Sequence, residues 1–301
     1  MLKEVSNIYE YKTELFKAII NNNNMDAVKF LKVENFNFWE VAEDNNFTGN
    51  INFYIVLHRA VYCNSNYIVF SIVELLFDRL KPDKRVHIIK QFINRKTDNG
   101  DSALAYASYR GNIEIIKLLI THGADIYSLT NTGQNVLHIA AQGDQPESII
   151  YFKEKFGMDI NIKDHSGSTP LHWACHTGSE LSLNFLISYG ADVNSRDAVG
   201  ITPLHLSAIS EKIRIIKKLL QNGADKHIVD NKGRTPYIVA RDRNKTTVLE
   251  LLEDDKSTLR SILCFDQHIR KTEKSSSNVI IFLVLHVFVE SIVYCTILPC
   301  K

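Results

Sequence analysis

The chain predicts an all-α solenoid of about five clear and two irregular helical repeats, followed by a C-terminal transmembrane helix. Three observations predict it. The run Thr169-Pro170-Leu171-His172 returns thirty-three residues later as Thr202-Pro203-Leu204-His205. About twenty residues after each start stands Gly190-Ala191-Asp192, then Gly223-Ala224-Asp225. From Val279 to Leu298, twenty residues, only His286, Glu290, Ser291 and Thr296 are not apolar.

Each start carries a mechanism. Thr accepts a backbone N–H as N-cap, Pro sits at the first helical position where its missing donor costs nothing, and Leu begins the buried face. Each glycine supplies the left-handed conformation that ends a second helix, and the Asp favours the turn that follows. One unit is therefore helix, turn, helix, turn. This 33-residue unit resembles the ankyrin repeat. The resemblance covers about 50–254 and implies a stack of helix pairs with a continuous groove, whose function is binding rather than catalysis.

In chain order, 8–98 reads as two irregular repeats. Leu15 to Ile20 and Ala27 to Leu31 suggest a helix pair with its turn at Asn21 to Asn24. Leu57-His58-Arg59-Ala60 starts the next unit, and Ile68 to Leu76 supply its second helix. Both units are overlong, and Lys81 to Gln91 is taken as an insertion. From 99 to 254 the period tightens: Leu104, Leu137, Leu171, Leu204 and Tyr237 are spaced by 33 or 34 residues. The unit at Ser102 lacks both Pro and His, and the one at Asn135 regains the His. The last, from Thr235, loses the His and ends in a short acidic helix near Val248 to Leu252, as suits a terminal cap.

Residues 255–278 read as a juxtamembrane linker in which Leu259, Ile262 and Leu263 allow a short amphipathic helix. Beyond it, 279–298 has the length of a bilayer span. Glu290 costs roughly 3 kcal/mol and His286 about 2, whereas the fourteen Leu, Ile, Val and Phe residues contribute about −6 kcal/mol together, so insertion is expected. Arg270, Lys271 and Lys274 precede the span and Lys301 follows it, which sets the repeats in the cytosol. Cys264, Cys295 and Cys300 flank it and are candidates for acylation.

Composition removes several classes of function. The formal charge is +1, from 35 Lys and Arg against 34 Asp and Glu, so no global field draws the chain to nucleic acid. The five cysteines are scattered and include no Cys-x-x-Cys pair. Met1 to Glu10 has no apolar core of a signal peptide. No phosphate loop, nucleophile elbow or kinase signature occurs, and no cofactor is expected. His172 and His176 stand four apart on one helix, but no carboxylate completes a metal set. The resemblance implies that His138, His172 and His205 hydrogen-bond within and between repeats.

Binding residues follow from register. The position after Leu-His faces the groove in the family the chain resembles; here it holds Arg59, Tyr106, Ile139, Trp173, Leu206 and Val239. One turn on stand Tyr62, Tyr109, Gln142, His176 and Ile209, which share that face. The expected concave surface is Arg59, Tyr62, Tyr106, Tyr109, Trp173, His176, Leu206 and Ile209. Its partner is a protein or peptide segment anchored on aromatic rings. Trp173 either anchors that segment or packs between repeats.

Three functions are compatible with these parts. The first is a membrane-tethered, non-catalytic scaffold. The order of repeats, connector and span is also similar to the N-terminal half of ankyrin-bearing Asp-His-His-Cys protein S-acyltransferases, although no Asp-His-His-Cys occurs here. The third is the ankyrin region of an ion channel.

Overall fold

The computed structural model describes residues 8–32 and 54–253, and these form fifteen helices joined by turns and short hairpins. The first pair, α1 (Ile8–Ile20) and α2 (Asn24–Leu31), turns at Asn22, whose φ of 54° is left-handed. The second pair is α3 (Tyr54–Tyr62) and α4 (Asn66–Arg79), and α5 (Pro82–Ile93) follows it. Five pairs complete the array: α6 (Ala103–Arg110) with α7 (Ile113–Thr121), α8 (Val136–Gln142) with α9 (Pro146–Phe156), α10 (Pro170–Thr177) with α11 (Glu180–Ser188), α12 (Pro203–Ile209) with α13 (Ile213–Gln221), and α14 (Pro236–Asp242) with α15 (Thr246–Leu252).

One expectation needs correction. The longest described helix, α4, has 14 residues, and among the described residues no helix is long and apolar enough to cross a membrane. The described residues therefore form an all-α repeat solenoid, and the expected spanning helix is not supported; Val279 to Leu298, the linker 255–278 and Cys264, Cys295 and Cys300 lie outside the described residues. The stretch Lys81 to Gln91, read as an insertion, is occupied by the additional helix α5. Pro82 occupies the first turn of α5, where its missing N–H is harmless, and Ile88, Ile89, Phe92 and Ile93 bury one face of that helix.

The core is one continuous cluster running through the array, with Leu57, Leu104, Leu137, Leu171 and Leu204 each 0 or 1 % exposed. Leu104, Leu137, Leu171 and Leu204 each sit one residue into a first helix, where the cap fixes the entry of the chain. Ser102 Oγ accepts from Ala105 N at 3.2 Å and Thr202 Oγ1 from His205 N at 3.4 Å. Apolar burial of this kind contributes about 25 cal/mol per Å2 and is the main force joining units.

Polar ladders set the register between units. His138, His172 and His205 are each fully buried, and each Nε2 meets a backbone oxygen of the next repeat: Ser168 at 3.0 Å, Ile201 at 3.1 Å and Arg234 at 3.0 Å. Nε2 therefore carries the proton, and Nδ1 accepts from the backbone N–H of Asn135, Thr169 or Thr202, each at 3.2 Å. A second ladder uses asparagines. Asn94 Nδ2 donates to Gly123 O at 2.8 Å while its Oδ1 accepts from Asp125 N at 2.7 Å, and Asn194 treats Gly223 and Asp225 likewise at 3.0 and 2.8 Å. Asn94 caps α5, so the extra helix ends where the next unit needs its clamp.

The hairpins that join units also bond tip to tip. Asn131 N donates to Asn99 O at 3.1 Å, His165 N to Thr132 O at 3.1 Å, Ala198 N to Ser166 O at 2.9 Å and Asn231 N to Val199 O at 3.0 Å. Neighbouring tips are thereby held against each other beside the first helices.

Candidate binding groove

A groove of about 490 Å3 opens between α6, α8 and the hairpins 97–101 and 130–134. The repeat register builds its aromatic wall. Tyr106 and Tyr109 stand three apart on α6, so both leave one face, and Tyr62 reaches them from the end of α3. Tyr62 meets Tyr106 edge-on with centroids 5.8 Å apart and stacks on Tyr109 at 6.5 Å. The Arg110 guanidinium lies 5.8 Å over the Tyr62 ring. Tyr62 is 42 % exposed, which leaves ring surface for a partner.

The opposite wall is polar. Asn99, Asp101, Thr130, Asn131, Thr132 and Gln134 come from the hairpins, and Ile139 and Gln142 from α8 complete the lining. The Tyr106 hydroxyl donates to Asp101 Oδ2 at 3.4 Å. Burial, and after it the Asp101 carboxylate, pushes the Tyr106 phenol above its ordinary pKa, so it stays a neutral donor. A surface of this kind, rings on one side and hydrogen-bonding groups on the other, can hold a segment by contact and direct it by polar bonds. Among the described residues no three His, Cys, Asp or Glu side chains gather as a metal site.

The expected concave residues divide in two. Tyr62, Tyr106 and Tyr109 come together in the groove, whereas Trp173, His176, Leu206, Ile209 and Arg59 do not line it. Trp173 is half-buried and engaged: its Nε1 donates to Asp164 Oδ2 at 2.9 Å, and its ring meets exposed His176 edge-on at 6.1 Å. Asp164 is itself 7 % exposed and also accepts from Ser166 N and Ser168 N, each at 2.9 Å. Leu206 and Ile209 are half-buried on α12 and Arg59 is exposed on α3, while Val239, in the same register as Trp173, is buried. Cys175 is fully buried, which pushes its thiol pKa far up and leaves it inert.

Register reasoning missed the hairpin contribution. Asp101 and Gln134 both immediately precede a helix N-cap, and that placement is the signal that would have found them.

A stack of helix pairs with inter-repeat histidine bonds and a groove beside its hairpins defines a repeat-based recognition module. The family profile described as ankyrin repeats (3 copies) matches at 57–164, 122–197 and 182–260, together more than half of the chain. The chain belongs to the ankyrin repeat family, whose members act through protein–protein interaction. It is similar to the human transient receptor potential cation channel subfamily A member 1, 34% identical over 101 residues that make up 32% of the chain and 9% of the channel. It is similar to the target of rapamycin complex 2 subunit AVO2 of Saccharomyces cerevisiae, 32% identical over 110 residues, 33% of the chain and 26% of that subunit. The NF-kappa-B inhibitor alpha of Gallus gallus is 32% identical over 110 residues, 35% of the chain and 33% of the inhibitor. The chain thus spans a third or less of these relatives. The matches bear on the repeats; the likeness to S-acyltransferases, drawn from the order of repeats, connector and span, is not shown by them.

Proposed function

We propose that the chain is a non-catalytic recognition module that binds an extended protein segment along the inner side of its first helices, centred on Tyr62, Tyr106 and Tyr109. The observation that carries this reading is the groove itself, where three rings from two consecutive repeats face a row of hairpin hydrogen-bonding groups. Tyrosines offer large contact area at low entropic cost and concentrate binding energy in few residues. The relatives' names describe a channel, a complex subunit and an inhibitor, and what they share with this chain is the repeat segment. Recognition is the part that such different proteins have in common.

Selection of a random peptide library on the folded chain tests it. Wild-type protein is expected to enrich a shared sequence motif, and Tyr106→Ala combined with Tyr109→Ala to lose it while keeping the helical circular dichroism. Enrichment of the same motif by the double variant would place recognition elsewhere on the array.

A further inference from the structure

We infer that the groove beside the three tyrosines seats one basic side chain of that protein segment, a lysine or an arginine, with its cation paired to Asp101. The inference rests on the recognition reading above and narrows it to the chemistry of the partner.

Charge is the first support. Among the described residues that line the groove, Asp101 alone is charged, so the lining itself carries one negative charge. Arg59 and Arg110 leave α3 and α6, yet neither lines the groove.

The second support is the state of the carboxylate. Asp101 Oδ2 receives two long hydrogen bonds, 3.4 Å from the Tyr106 hydroxyl and 3.5 Å from Thr97 Oγ1. Among the described residues it forms no ion pair. A half-buried carboxylate so weakly bonded retains acceptor capacity, and a charge-assisted donor fills it at shorter range.

The third support comes from the fold's own repetition. Arg234 occupies in the last repeat the register position that Asp101 holds in the third, directly before the N-cap. There Arg234 reaches Asp230 Oδ2 from Nη2 at 2.7 Å and from Nε at 2.9 Å. A carboxylate and a guanidinium therefore fit together at this point of a hairpin. In the third repeat Thr97 stands where Asp230 stands in the last, and the internal pair is absent. Arg110 over Tyr62 shows in addition that these rings accept a guanidinium face.

The full chain is titrated with pools of short fluorescent peptides, random except for a central arginine, lysine, glutamine or glutamate. The arginine and lysine pools are expected to bind about tenfold more tightly than the glutamine pool, with the glutamate pool weakest. Asp101→Asn is expected to abolish that preference, and Asp101→Glu, which returns the charge, to restore it in part, so a mere folding defect is distinguished. A basic preference that survives Asp101→Asn, or a wild-type chain that binds the four pools equally or favours glutamate, overturns the inference and leaves the recognition reading standing. Absence of binding by every pool overturns both.

Discussion

The imidazole Nε2 of His172 lies 3.1 Å from the carbonyl oxygen of Ile201, 29 residues away in the next repeat, while its Nδ1 lies 2.9 Å from Thr169 Oγ1. One buried ring thus joins its own helix cap to the following unit. His172→Ala empties a buried site, deprives the Thr169 amide and hydroxyl of their partner, and removes one of the two bonds to the Ile201 carbonyl, which keeps the Asp197 N–H at 2.9 Å. Its expected cost is about 3 kcal/mol, read as a fall in the urea midpoint. An unchanged midpoint would show that the ring is not a strut.

The same burial predicts an acid response. Burial lowers the pKa of His138, His172 and His205, against the opposing effect of their backbone bonds. Unfolded histidine titrates near pH 6.5, so above about that pH both states are neutral and the contribution is complete. As pH falls further the unfolded chain binds protons that the folded chain refuses, and each ring removes up to about 1.4 kcal/mol per pH unit. Burial raises the carboxyl pKa of Asp164, but bonds from Ser166, Trp173 and Ser168 outweigh it and hold it low, so its contribution is lost separately below about pH 4. Melting temperature is expected to drop between pH 7 and 5, with a shallower slope in His205→Gln; a flat wild-type profile contradicts this.

Asn135 is the cap that fits its histidine least well. Its Oδ1 stands 2.7 Å from His138 Nδ1, which already accepts a backbone N–H, and its Nδ2 is buried with no hydrogen-bond partner. Thr169 and Thr202 place a hydroxyl at this point, able to donate to the ring. Asn135→Thr is expected to stabilise the chain by about 1 kcal/mol, seen as a higher melting temperature.

Gly143 is required by space rather than by conformation. Its φ of −79° is ordinary for any residue, so alanine there should stabilise the backbone by about 0.5–1 kcal/mol. A Cβ at this position would instead run into the carbonyl group of Tyr109. Gly143→Ala is expected to cost about 2 kcal/mol and to disturb the Tyr109 ring signals in an NMR spectrum. Stabilisation without movement of Tyr109 would refute the close approach of α6 and α8.

Trp173 offers a local test of how a hairpin is braced. Trp173→Phe keeps the ring and deletes the Nε1 donor to Asp164, a bond to a charged acceptor expected to contribute about 2 kcal/mol. Hydrogen exchange at Ser166 and Ser168, whose amides bond the same carboxylate, should speed up. Unchanged exchange would mean that Asp164 holds the hairpin without the indole.

Much of this architecture is legible from local signals. Thr-Pro-Leu-His and Gly-Ala-Asp place helix starts and ends because capping and left-handed glycine depend on neighbours in sequence. Helix α5 lies outside the repeat period, so only Pro82 and the apolar spacing of Ile88, Ile89 and Phe92 signal it. The three tyrosines follow from register alone. The role of Asp101, and the capture of Trp173 by Asp164, depend on how hairpins fold back over the helices, which a period cannot convey. The expected span at 279–298 answered to hydropathy and to no repeat signal.

The bonds between successive hairpin tips, from Asn99 through Asn131 and onward to Asn231, couple each unit to its immediate neighbours alone. Such a chain of local handshakes can gain or lose an entire module without disturbing distant ones. Duplication and deletion of single units thereby become tolerable steps in the history of the molecule. The length of its recognition surface can change in increments of one repeat while the chemistry at each increment is retuned on its own.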